Sequence, residues 1–408
     1  MKRPLAILSA LAMVLGLCGC AGRDAGTAVP LTAPSDPRSV VYDGTALPVA
    51  AFGLSLLRET AKTGAADPVL SPLSAYLALA MAAEGSAGET RAQFGQVLGA
   101  GAEEIAAAVD RMGVRLQRTA GSTGLRLDLS VWTGGQVSFS EDYLDLVGGR
   151  YGADIFSGML SSDAVREAVD RWAADRTQGE IDPYLEGNLP EETELALLGT
   201  VWFSGVWQTP FDGQTAAGVF YGADGSERTV EFMRGQGSWP VIDDEMATGV
   251  VLPYDDGCTC MVLLMPRDPD VTPADLACML GTAGIARLAG EAQAGSAGVS
   301  VPVFETTGGG SLRGALQAMG LTDAFDPERA DLSRMGAGKL WLSEVSQRFS
   351  LRVGPAGTGA AAGAEVSGGL LPAAQPGAEV RLDHPFLYAI LDTETAIPLV
   401  MGTYNAAG

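Results

Sequence analysis

Histidine is all but absent from this sequence: His384 is the only one. A Ser-His or Cys-His hydrolase would have to draw its general base from that residue. It stands in an alternating, strand-like stretch beside Pro385, and no triad pattern accompanies it, so a structural role is the stronger reading. The same scarcity excludes the usual Cys/His zinc sets, and no metal or cofactor is expected. The adjacent carboxylates Glu103-Glu104 and Asp243-Asp244 read as solvated surface rather than acid/base pairs. Positive charge is also scarce, with 26 Lys and Arg against 49 Asp and Glu, a formal net charge of −23. Such a polyanion repels phosphate backbones and anionic headgroups, so nucleic acid is not an expected partner. Cysteine is rare as well. Cys18 and Cys20 lie near the N-terminus, which leaves Cys258, Cys260 and Cys278 in the body. Cys258 and Cys260 are two apart in an expected strand, and buried thiols rather than a disulfide framework are the expectation.

No apolar run is long enough to span a bilayer; the N-terminal one covers only residues 5–17. Preceded by Lys2 and Arg3, it suits a signal peptide over residues 1–19. Its end, Leu17-Cys18-Gly19-Cys20, resembles a bacterial lipobox, with Gly19 the last residue before cleavage and Cys20 the lipidated one. Removing this segment makes the chain two charges more negative. The expectation is an extracellular or cell-surface lipoprotein, touching the membrane through its lipid anchor alone. Residues 20–44, rich in Gly, Ala, Thr and Pro without apolar periodicity, read as a flexible tether.

From residue 45 to 408 no repeat and no change of composition appears, which predicts one domain and a monomer. Val49, Phe52 and Leu56 are spaced for an amphipathic helix. Ser71-Pro72 offers an N-cap and a proline at the first helical position, opening a helix that turns Leu77, Ala80 and Met81 inward. Further helices are predicted through Phe94 and Leu98, and through Ile105, Val109, Met112 and Leu116. Leu125, Leu127, Leu129 and Val131 alternate with Arg126, Asp128 and Ser130, the mark of a half-buried strand. A polar helix is predicted over 163–177 and strands over 195–206, 249–253 and 259–265. Val299, Val301 and Val303 alternate again, and Leu312, Leu316 and Met319 mark a late helix. Long strands are predicted over 339–353, 380–391 and 397–404. Helices early and strands late give an α+β fold with large sheets.

Between two of these strands lie residues 354–379, of which seven are Gly, eight Ala and three Pro. A structureless stretch of this length inside a domain is commonly functional. Residues 358–366 lack proline and obey strand parity: Thr358, Ala360, Ala362, Ala364 and Val366 share one face, while the only charge, Glu365, falls on the other. Such a segment can serve as a strand.

The order of motifs resembles the serpin family over nearly the whole chain after the tether. Asp67-Pro-Val-Leu-Ser-Pro-Leu-Ser74 is similar to the family's early helix signature. Trp172, Thr177, Gly179 and Ile181, then Val201-Trp202-Phe203, Gly205, Trp207 and Phe211, resemble its segments over and in the main sheet. Leu252-Pro253-Tyr254, Leu264-Met265-Pro266, Val301-Pro302-Val303-Phe304 and Asp331-Leu332-Ser333 continue in order. Leu340-Trp-Leu-Ser-Glu-Val345 resembles the strand feeding the bait loop, and Gly357-Thr358 with Ala360-Ala361-Ala362 resembles its hinge. His384-Pro385-Phe386 and Pro398-Leu399-Val400-Met401-Gly402 resemble the closing strands. Departures are Gly199 for a usual Asn, Gln347 for a frequent His, Pro355-Ala356 for an acidic pair and Gly359 for a common Glu.

The resemblance implies a serpin-like fold of three β-sheets with eight or nine helices and an exposed reactive-centre loop. It also implies a suicide inhibitor rather than an enzyme, with no catalytic residue of its own and a target protease as partner. The loop is cut, then inserts into the main sheet, opening near Trp207 and Gly199. Counting from the hinge places the scissile bond near residues 370–372, and counting back from Pro385 places it nearer Ala374. With Leu371–Pro372 disfavoured by the proline nitrogen, Leu370–Leu371 stands first and Ala373–Ala374 or Ala374–Gln375 next. Leu before the bond suits chymotrypsin- or subtilisin-like serine proteases and Ala suits elastase-like ones, while cysteine proteases share the acyl chemistry. The absence of Arg and Lys from residues 354–380 argues against trypsin-like targets. The alternative is a non-inhibitory serpin, a surface binding module or plain substrate, which Thr358 and its alanines disfavour and Pro355 keeps open.

Overall fold

The computed structural model describes residues 29–30, 47–63, 67–101, 103–107, 119–120, 123–134, 137–211, 215–359, 378–393 and 395–406. The first amphipathic stretch is the helix Leu47–Ala61, with Val49, Phe52 and Leu56 buried. Ser71 caps the next, Pro72–Glu84, its hydroxyl accepting the Ser74 N–H at 3.2 Å, while Pro72 fills a position that needs no N–H. Every residue from Pro72 to Ala83 is buried, as a helix with apolar residues on every face is, and this helix packs against strands of both large sheets. Gly88–Leu98 follows, closed by Gly99 at a φ of 71°. Residues 103–107 are helical with Ile105 buried, while positions 109, 112 and 116 lie outside the described residues.

Among the described residues the strands form three sheets, of eight, nine and two strands. Across the main sheet run Asp154–Ser157, Thr123–Thr133, Leu195–Val206, Gly357–Thr358, Leu342–Gly354 and Phe304–Ser311. At its edge Val29–Pro30, from the expected tether, pairs antiparallel with Phe156 and Ser157. The strand Thr123–Thr133 corrects the half-buried expectation: Asp128 and Ser130 are buried along with the leucines. The helix Asp163–Arg176 covers that second face, where Arg176 meets Asp128 at 3.2 Å and Asp154 at 2.6 Å, and the Trp172 indole donates to Asp154 at 3.0 Å. Alternation of polar and apolar side chains therefore marks two different covers rather than core and solvent.

In the second sheet Ala247–Pro253 and Thr259–Pro266 pair as expected around the Asp255-Asp256-Gly257 turn. The strand expected over 380–391 is instead two, Ala378–Arg381 and Phe386–Asp392, interrupted where Pro385 cannot donate. His384 stands in that interruption rather than in a strand. Its Nδ1 lies 2.8 Å from Asp383 Oδ1 and its ring stacks on Tyr221 at 4.9 Å. Cys258 precedes its strand rather than lying in it, Cys260 is buried, and both are free, as is Cys278. Burial pushes the Cys260 thiol up to about 12. The strands Thr215–Tyr221 and Glu227–Asp243 and the helix Pro273–Glu291 have no counterpart in the sequence reading. Their apolar residues follow no single period: buried and exposed positions alternate irregularly along Glu227–Asp243, and Gly281, at a φ of 69°, breaks the helical phase.

Candidate functional site

The strands Leu195–Val206 and Leu342–Gly354 run side by side in parallel, paired from Leu195–Leu342 up to Val201–Phe349. Above that point they diverge, and the chain itself begins to fill the gap. After Gly354 it turns through Pro355-Ala356 and comes back as Gly357–Thr358, pairing antiparallel with Val206 and Gly205 on one side and with Gly354 and Val353 on the other. The hinge expected to lie in an exposed loop is thus already two residues of strand, and Thr358 has no exposed surface. Between Thr358 and the first direct pair of the flanking strands the gap spans one further inward position, level with Phe203 and Leu351.

Aromatic and turn contacts hold this arrangement. Trp207, buried, donates from its indole to the Gly354 carbonyl at 2.9 Å and stacks on Tyr254 at 4.6 Å. The Tyr254 and Thr358 hydroxyls are 2.8 Å apart, and the Phe203 ring closes the site edge-on to Tyr254 at 4.9 Å. Burial pushes the Tyr254 phenol well above its ordinary range, so it stays a neutral partner. The Phe211 and Trp207 N–H groups donate to the Pro355 and Ala356 carbonyls, each at 3.0 Å. Pro355 therefore sits in a turn that uses its carbonyl and asks for no N–H.

The departure at residue 359 also has a physical cause. Gly359 holds a φ of +68°, and a Cβ there would collide with the Phe203 carbonyl. A glutamate cannot take that conformation, whereas glycine lets the chain leave the sheet sharply after Thr358.

Of the residues singled out from sequence, Gly357, Thr358 and Trp207 come together here. Gly199 lies lower, level with Gln347 in the paired part of the two strands. Cys20, Ala360, Ala361, Ala362, Leu370, Leu371, Ala373, Ala374 and Gln375 lie outside the described residues. Sequence reasoning missed Tyr254 as a site residue. It stands in the Leu252-Pro253-Tyr254 motif, but only its hydroxyl contact with Thr358 shows that it reaches the hinge.

A profile of the serpin family (serine protease inhibitor) matches residues 48–406. The chain belongs to the serpin family. It is 27% identical over 369 residues to the leukocyte elastase inhibitor A of Mus musculus, covering 86% of this chain and 96% of that one. It is 29% identical over 312 residues to Mus musculus antithrombin-III, covering 73% and 67%. Among solved structures the native state of a thermophilic serpin, tengpin, superposes with a TM-score of 0.84 at 27% identity, covering 93% of this chain and 99% of that one. The three-sheet α+β architecture is therefore that of a serpin, and the relatives include protease inhibitors.

Proposed function

We propose that this serpin is a suicide inhibitor that offers residues 354–379 as bait and captures its protease by inserting the cut loop between the strands Leu195–Val206 and Leu342–Gly354. The observation that carries the reading is Thr358, buried and paired on both sides as the first residue of that inserted strand. Continuing the same register would set Ala360 between Phe203 and Leu351, Ala362 between Val201 and Phe349, and Ala364 between Gly199 and Gln347. These flanking side chains face the main core, where only small groups can enter without forcing the sheet apart.

In the reaction the protease's serine hydroxyl adds to the scissile carbonyl. The peptide C–N bond then breaks, the hydroxyl proton passes to the departing amine, and an ester to the serpin remains. Insertion then competes with hydrolysis of that ester. Each new ladder hydrogen bond contributes about 0.5–1.5 kcal/mol net, so a dozen of them outweigh the weak strand preference of Ala and Gly. We place the cut at Leu370–Leu371, with Ala373–Ala374 and Ala374–Gln375 as alternatives, and the target among chymotrypsin-, subtilisin- or elastase-like enzymes. The lipobox-like run supports an anchor at Cys20 on the outside of a bacterial cell.

The test is to mix the protein with one protease of each specificity, weigh the released C-terminal peptide and look for a complex that survives detergent. A peptide beginning at Leu371 and a trapped chymotrypsin-like enzyme are expected. Cleavage with no trapped enzyme and no gain in thermal stability would make the protein a substrate, and trapping confined to trypsin-like enzymes would overturn the target assignment.

A further inference from the structure

Gly199 faces Gln347 across the pair of strands that insertion must part, and glycine offers no side chain to tie them. The space on its core side is already taken, since a Cβ there would lie 2.5 Å from Ser74 Oγ. From that side Gln347 accepts the Ser71 N–H at 3.1 Å, while its Nε2 has no partner among the described residues. The core side thus holds one of the two strands to the helix Pro72–Glu84 and does not join the strands to each other.

The opposite face carries the missing tie. Tyr184, from the segment that follows the helix Asp163–Arg176, brings its hydroxyl to 3.2 Å from the Gly199 carbonyl and 3.0 Å from Ser346 Oγ. A carbonyl can only accept, so the phenol O–H donates to Gly199 and its oxygen accepts from the Ser346 hydroxyl. One atom therefore bonds to each strand, in a fully buried position that pushes the phenol above its ordinary range and keeps it protonated.

Tyr184 is in turn held from several sides. Its N–H and that of Leu185 both donate to Asp170 Oδ1 at 2.9 Å, and Arg348 Nε donates to its carbonyl at 3.1 Å. Its ring packs edge-on to Trp172 at 6.3 Å within an apolar cluster, including Trp132, Val169, Ile181 and Leu198, that is separate from the main core. The helix and the segment after it form a cover with a small core of its own.

We propose that Tyr184 is the positioning residue that keeps the two strands closed until the loop enters, in place of a side chain at residue 199. This rests on the insertion reading above. In the register begun by Thr358, Glu365 would arrive between Leu198 and Ser346 on the cover side, where the Tyr184 hydroxyl now lies. Insertion can therefore pass Ala360 with the tie intact and must break it to go beyond Ala364.

The test uses the full chain in its native state, as wild type, Tyr184→Phe, Ser346→Ala and the double variant. Phenylalanine keeps the ring against Trp172, and the serine variant probes the same tie without touching the cover. Hydrogen exchange of the amides in 195–201 and 342–349 is expected to quicken about tenfold in Tyr184→Phe, the scale of one hydrogen bond. The double variant is expected to exchange no faster than Tyr184→Phe alone, because the serine's contribution requires the phenol. A synthetic peptide with the sequence of residues 358–366 is expected to enter the sheet of both single variants faster than that of the wild type. Unchanged exchange in Tyr184→Phe and Ser346→Ala overturns the proposal. Peptide uptake by none of the proteins would instead remove the insertion reading, with the exchange rates still deciding whether Tyr184 ties the strands.

Discussion

Thr358 lies in a closed site between Val353 and Gly205, its hydroxyl against the Tyr254 phenol. A guanidinium cannot be left unpaired there, the cost being several kcal/mol, so Thr358→Arg is expected to swing the hinge out of the sheet and block its return. The variant should still fold, since only a two-residue strand is lost, but proteases should cut it without being trapped. A detergent-stable complex of Thr358→Arg with a chymotrypsin-like enzyme would refute insertion. Gly359 allows a second, opposite test. Alanine at its φ of +68° costs about 1–2 kcal/mol before any clash with the Phe203 carbonyl is counted. In an inserted strand the same residue is extended and alanine is harmless. Gly359→Ala is therefore expected to lower the melting temperature of the intact protein and not that of the loop-cleaved form, as calorimetry on both would show. An equal loss in both forms would mean that Gly359 keeps its left-handed turn after cleavage.

At the scale of elements, the helix Asp163–Arg176 is fastened to the main sheet by one guanidinium shared between two buried carboxylates, Asp128 and Asp154. Burial pushes the Asp128 carboxyl above its ordinary range, with Arg176 and Arg126 pulling it back. Arg176→Met would leave both carboxylates without that cation, a loss of about 3–5 kcal/mol for a broken buried pair. The sign of its pH dependence follows. Without Arg176 the folded-state Asp128 carboxyl binds a proton more readily than the unfolded one. The deficit relative to wild type should thus be largest near neutrality and shrink as the pH falls through the raised value of Asp128. Urea denaturation of both proteins across that range measures it, and a deficit independent of pH would show that Arg176 acts by packing alone. Because this helix also seats Asp170 beneath Tyr184, its attachment bears on the tie proposed at Tyr184.

For the whole molecule, the sheet arrangement docks Gly357 and Thr358 above a pair of closed strands. A fold so arranged is metastable only if cleavage releases a more stable form. The anchor proposed at Cys20 belongs to this scale too. Labelled palmitate fed to bacteria expressing the protein is expected to enter the wild type and not Cys20→Ala, and equal labelling would remove the lipoprotein reading.

Much of this was legible in the chain. The Ser71-Pro72 cap, the alternation in 125–131, the small residues of 354–379 and the order of motifs depend on local periodicity and composition, which neighbours in sequence carry. The sequence by itself determined the serpin fold and the absence of basic residues from 354–379. It could not say that Asp128 and Ser130 are covered by a second layer, or that Pro385 divides a strand at His384. Nor could it say that Gly359 is forced by the Phe203 carbonyl. The tie between the strands shows the limit most clearly. Gly199 read only as a departure from a usual Asn, whereas Tyr184, whose hydroxyl bonds its carbonyl, comes from a different element on the other face of the sheet. Only the tertiary structure decided that, since a hydrogen bond between residues on three separate segments has no period in sequence and exists only once the cover has packed onto the sheet.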